Sequence, residues 1–104
     1  MALKVIWSPE ALEDIDSIAE YIARDSINYA KSVAQKLFHS NELIRDNPRI
    51  GRVVPELTDE NIREIFIYSY RLIYRIENNQ IHIGAIVHGH RKLINALQDR
   101  SLGK

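Results

Sequence analysis

The chain reads as an α+β domain in the order β-α-α-β-β-β, with a helical hairpin packed on one face of a mainly antiparallel sheet. Three observations predict this. Residues 70–91 form two runs of alternating apolar and polar side chains separated by Asn78-Asn79, the pattern of a half-buried β-hairpin. Residues 9–47 carry two apolar stripes at helical spacing, divided at Asp25-Ser26. The length of 104 residues suits one core, so 1–104 is expected to be a single domain.

Leu3 to Trp7 reads as a short first strand. Ser8-Pro9-Glu10 then starts a helix: the Ser8 hydroxyl caps free amides, Pro9 fits the first turn, and Glu10 favours the positive end of the dipole. Ala11, Leu12, Ile15, Ile18, Ala19 and Ile22 supply its buried stripe. Ser26 offers a second cap, and Ala30, Val33, Ala34, Leu37, Phe38 and Ile44 make the next stripe. Asn47-Pro48 ends it, because the residue before a proline avoids the helical region. So few residues separate the helices that they should run antiparallel. Arg49 to Asn61, punctuated by Gly51 and Pro55, reads as a loop. Arg63 to Ile67 reads as a strand turning near Tyr68-Ser69. That turn has no glycine, which leaves room for a bulge. Residues 91–102 read either as a short terminal helix or as a tail.

The hairpin register follows from its turn. Asn tolerates the left-handed conformation that a two-residue connection needs, so Glu77 is set opposite Gln80. Ile76 then faces Ile81, Tyr74 faces Ile83, Leu72 faces Ala85 and Tyr70 faces Val87. That side is wholly apolar or aromatic and should be the core. The other side sets Arg75 opposite His82, Ile73 opposite Gly84, and Arg71 opposite Ile86 with His88 one diagonal step away. Cations beside an imidazole on an open sheet face suit the capture of an anion. The alternative reading pairs Arg71 and Arg75 with Glu64 or Glu77 as ordinary ion pairs.

Composition excludes several classes. A 45% hydrophobic and 27% charged content belongs to a folded chain. There is no cysteine, so neither a disulfide framework nor a thiolate metal site is available. No apolar run is long enough to span a bilayer and no secretory pattern is visible, so a cytoplasmic protein with no membrane partner is expected. His88 and His90 share a strand face, but no third ligand stands near them, and neither a metal nor a cofactor is expected. Formal net charge is zero, yet residues 1–46 hold five cations against eight carboxylates and residues 47–104 hold nine against six. An acidic helical side and a basic sheet side follow, the latter suited to an anionic partner.

Several segments, taken in order, resemble the RelE/ParE family of bacterial toxins from type II toxin–antitoxin modules. They are Trp7-Ser-Pro-Glu-Ala11, Asn47-Pro-Arg-Ile-Gly-Arg52, Val54-Pro-Glu-Leu57, Ile62-Arg-Glu-Ile65, Tyr70-Arg-Leu-Ile-Tyr-Arg75 and Ile86-Val-His-Gly-His-Arg91. Together they span residue 5 to about residue 93 and look closer to the ParE branch. The resemblance implies the RelE/ParE-like fold and a small toxin, of the plasmid-stabilisation type, held inactive in a hetero-oligomer with a cognate antitoxin. ParE-like members imply binding and inhibition of DNA gyrase. RelE-like members imply cleavage of mRNA on the ribosome.

For the RelE-like alternative, the resemblance implies Arg71 and Arg91 as phosphate-stabilising cations, Glu56 as a carboxylate of the site, and His88 or His90 as acid or base. The lysines and the late tyrosine of that ribonuclease pattern have no counterpart here; Leu97 stands six positions after Arg91. Glu56 has a plainer reading as a loop carboxylate with a local partner. For binding of antitoxin or target, the candidates are Arg63, Arg71, Arg75, His88 and Arg91, with the exposed side of the helices.

Overall fold

The computed structural model describes residues 3–89 together with Leu93 and Leu97. Among these residues the order is β1 (Lys4–Trp7), α1 (Pro9–Ala23), α2 (Ile27–Asp46), β2 (Arg52–Val53), β3 (Ile62–Ile67), β4 (Tyr70–Glu77) and β5 (Gln80–His88). They form one five-stranded sheet in the order β1-β5-β4-β3-β2. β1 runs parallel to β5 and every other pair is antiparallel. The α+β class and the helical hairpin on the sheet stand as the sequence predicts. The extra element is β2, two residues inside the segment read as a loop, set against Glu64 and Arg63 of β3. A strand this short leaves no periodicity to read.

Both helices begin where their caps predict. The Ser8 hydroxyl accepts from the Ala11 N–H at 3.0 Å, and the Ser26 hydroxyl accepts from the Tyr29 N–H at 3.1 Å. α1 and α2 lay Ala11, Ile15, Val33, Leu37 and Ile44 on Leu72, Tyr74, Ile81, Ile83 and Ile86 of the sheet. Trp7 stacks on Phe38 with ring centroids 5.5 Å apart, closing the corner between β1 and α2. Inside this core the Tyr74 hydroxyl donates to the Pro48 carbonyl at 2.7 Å and accepts from the Gly51 N–H at 3.0 Å. A Cβ on Gly51 would stand 2.6 Å from the Glu64 carbonyl oxygen and 2.8 Å from the Tyr74 hydroxyl. Only glycine lets the chain pass there into β2.

The Asn78-Asn79 turn has φ of 49° and 63°, the left-handed pair that a tight hairpin requires. Tyr68, at φ 55°, plays that part in the glycine-free turn between β3 and β4. From the first turn to Tyr74, the β4–β5 pairing is as the alternation predicts: Glu77 faces Gln80, Ile76 faces Ile81, Arg75 faces His82 and Tyr74 faces Ile83. Beyond that point the register slips by one residue at a β-bulge, because Gly84 is an extra residue on β5.

Ile73 now faces Ala85, Leu72 faces Ile86, Arg71 faces Val87 and Tyr70 faces His88. The predicted Leu72–Ala85, Tyr70–Val87, Ile73–Gly84 and Arg71–Ile86 pairs are therefore corrected. A one-residue slip moves every later side chain to the opposite face. Ile86 enters the helix-side core, while Ala85 and Val87 leave it.

Those two join Val54, Ile62, Ile73, Leu93 and Leu97, with Leu57 beside them, in a second apolar cluster on the face away from the helices. The Leu97 N–H donates to the Leu93 carbonyl at 3.0 Å, a bond of helical spacing. The remainder of the segment read as a terminal helix or tail lies outside the described residues.

Candidate functional site

The face away from the helices is not the open cationic surface that alternation predicts. Arg71 is only 5% exposed, and all three of its guanidinium nitrogens meet carboxylate oxygens. Its Nε donates to Glu64 Oε1 at 2.6 Å, and Nη2 also contacts that oxygen. Nη1 and Nη2 donate to the two oxygens of Glu56 at 2.9 Å each, a bidentate fork. Glu64 is 1% exposed, and its second oxygen accepts from Arg52 Nε at 2.5 Å. Four alternating charges thus run Arg52, Glu64, Arg71, Glu56, and their formal sum is zero. The outer two members are the exposed ones.

Backbone geometry explains this assembly. Glu64 and Arg71 project from adjacent antiparallel strands on the same face, one diagonal step apart through the Phe66–Arg71 and Glu64–Ile73 pairs. Arg52 lies opposite Glu64 across the β2–β3 pair. Glu56 comes from the loop, where the Leu57 and Thr58 N–H groups both donate to the Val54 carbonyl and coil one tight turn. Val54, fully buried in the second cluster, roots that turn on the sheet.

The electrostatics follow from the pairing. The Arg71 hydrogen bonds hold the Glu56 carboxyl below the usual carboxylate range, against a smaller upward push from burial. The Arg71 guanidinium is in turn held charged by Glu56 first, and by Glu64 despite its burial. A carboxylate committed to an arginine in this way is a weak base.

The sequence-predicted residues separate. Glu56 and Arg71 meet, as an ion pair. Arg75 shares their face but pairs with Glu77 at 2.9 Å. Both ion-pair alternatives read from the sequence, Arg71 with Glu64 and Arg75 with Glu77, are therefore present. Arg63 points to the other side of β3, where it donates to the Glu60 carbonyl at 2.9 Å and the Gly51 carbonyl at 2.8 Å.

His88 is the principal correction. The Gly84 bulge moves it off the Arg71 face and sets it edge-on to Tyr70, with ring centroids 5.5 Å apart. There it borders a groove with Tyr21, Ile18, Ser17 and Asp14 of α1. Asp14 Oδ2 accepts from the Ile86 N–H at 2.9 Å just past the bulge. His90 and Arg91 lie outside the described residues. Sequence reasoning gave Arg52 no role, since it lies in the segment read as a loop, and its place opposite Glu64 depends on the unforeseen β2.

A different surface is open on the helices. Leu12 and Phe38 are 41% and 47% exposed and line an apolar groove with Ile15, Ala34, Asp16 and His39. α1 carries five carboxylates and no cation. Among the described residues no group of His, Cys, Asp and Glu is arranged to hold a metal, and no helix is long and apolar enough to cross a membrane.

The family described as the ParE toxin of type II toxin–antitoxin system, parDE, matches residues 5–93. No curated protein sequence matches the chain significantly. Among solved structures, the chromosomal ParDE toxin–antitoxin system of P. aeruginosa contains a similar chain at TM-score 0.69 and 17% identity, covering 84% of this chain and 96% of that one. A free-state mutant of E. coli toxin RelE is similar at TM-score 0.65 and 17% identity, over 96% and 99%. The YoeB dimer of Staphylococcus aureus is similar at TM-score 0.56 and 20% identity, over 88% and 100%. At such identities these structures speak for the fold alone.

Proposed function

The chain belongs to the ParE toxin family of type II toxin–antitoxin systems, and we propose that it arrests growth by binding DNA gyrase rather than by cutting RNA. A cognate antitoxin neutralises it in a hetero-oligomer within the cytoplasm. The observation that carries this reading is the closure of Arg71. Cleavage by a 2′-hydroxyl needs a base, an acid and free cations converging on one phosphate. Here Arg71 is spoken for by two carboxylates, Glu56 is held ionised against it, and His88 stands on the other face of the sheet.

Binding needs only accessible and complementary surface. The Leu12–Phe38 groove on the helices offers apolar area of the kind that partners bury. The YoeB–YefM complex of Staphylococcus aureus has a chain similar to this one at TM-score 0.53 and 20% identity, over 85% of this chain and 98% of that one. By analogy, an antitoxin segment covers part of the toxin here.

The test is supercoiling of relaxed plasmid by purified gyrase with increasing toxin, with and without antitoxin. Supercoiling should fall with toxin and recover with antitoxin. Unchanged supercoiling at large excess, with mRNA cleavage in a translating extract, would overturn the reading.

A further inference from the structure

We propose that Glu56 is the built-in occupant of a carboxylate-binding site centred on Arg71, and that an aspartate or glutamate of a partner peptide takes its place. The four members of the ion network are unequal. Arg71 and Glu64 are sealed and lie on paired strands, so neither moves without disturbing the sheet. Glu56 lies on a loop, its side chain is 40% exposed, and the strongest hold on its carboxylate is the outward fork of Arg71, helped by its own backbone N–H and by the charge of Arg52. Val54 and the tight turn fix the loop backbone, so rotation of the Glu56 side chain alone uncovers the fork.

What the fork then accepts is set by geometry and charge. Two parallel N–H donors on a planar guanidinium match the two oxygens of a carboxylate. With Glu56 swung away, Arg52, Glu64 and Arg71 carry a net single positive charge on this face. One carboxylate restores neutrality, whereas a phosphate dianion overshoots it and would lie against the buried Glu64. The rim suits a peptide as well. Arg52 is 62% exposed and sits over the Phe66 ring at 5.5 Å, and Phe66 is itself 53% exposed. An incoming acidic residue thus meets a cation and an aromatic surface beside the fork. The site does not depend on which cellular target the toxin has.

The experiment uses a short glutamate peptide, its glutamine analogue, and acetate against chloride at equal ionic strength. Glu56→Ala empties the fork. That variant should bind the glutamate peptide at least tenfold more tightly than the glutamine peptide, and at least tenfold more tightly than the wild type does. Acetate, but not chloride, should raise its thermal midpoint saturably. Should Glu56→Ala fail to fold, Glu56→Ser is read in the same way. The unaltered protein gives an independent reading: millimolar glutamate peptide should shift the NMR signals of the Arg71 guanidinium and the Phe66 ring, leaving Tyr70 and His88 on the far face unmoved. Equal response to acetate and chloride, no preference for the glutamate peptide, or no shift at Arg71 overturns the proposal. Rescue by phosphate in place of acetate overturns the carboxylate assignment.

Discussion

The two faces of the sheet are held by different physics. On the helix side, Leu72, Tyr74, Ile81, Ile83 and Ile86 meet Leu37, Val33 and Ile44, and stability comes from apolar area removed from water. On the other side a smaller cluster around Ile73 and Val87 is flanked by a chain of four charges, two of them sealed. Apolar packing tolerates local loss at a cost set by the cavity left behind. A sealed ion pair is favourable only while both partners stay, since each alone is an uncompensated charge. The helix side therefore should respond additively, and the far side as a coupled unit.

The largest effect should expose that coupling. Glu64→Leu leaves Arg71 with Glu56 alone, and should cost about 3–5 kcal/mol in urea unfolding. Adding Arg71→Met to it should recover most of that loss, giving a strongly non-additive cycle. If the two losses simply add, the far face is not a coupled unit. Leu37→Ala, on the helix side, should cost about 2–5 kcal/mol and add to Glu64→Leu without coupling. Tyr74→Phe keeps the ring but abandons the Pro48 carbonyl and the Gly51 N–H, which should cost about 1–3 kcal/mol.

The smallest effect is one of pH. Glu56 is held below its ordinary value of 4.5, chiefly by Arg71. A depressed carboxylate stabilises the fold fully above its unfolded pKa and loses that contribution as pH falls through its folded pKa. Wild-type stability should therefore decline on acidification below about pH 4.5. Glu56→Gln should flatten that part of the curve, as thermal melts across pH 3 to 7 would reveal. An unchanged slope would mean that the acid response comes from carboxylates other than Glu56.

How much of this was legible in the sequence differs between the same two faces. The helix side was readable because its pattern is periodic: the caps at Ser8 and Ser26, the stripes through Leu37 and Ile44, and the Asn78-Asn79 turn each obey a local rule. The far side was not. Ile83-Gly-Ala-Ile-Val87 is buried on both faces, so its alternation carries no phase, and the glycine within it was the one mark of a bulge. That single residue moved His88 away from Arg71. The Arg71–Glu56 contact joins residues fifteen positions apart through a loop, where no periodicity operates. Glu64 was foreseeable as a strand neighbour; Arg52 was hidden by the two-residue β2.

The proposed action by recognition rests on a sheet arginine closed by its own carboxylates. The most direct test follows plasmid topology and mRNA 5′ ends in the same culture within minutes of induction. Inhibition of gyrase by binding predicts a rapid loss of negative supercoiling with no new 5′ ends in translated messages. New 5′ ends within codons on the ribosome, with plasmid topology unchanged, would contradict it.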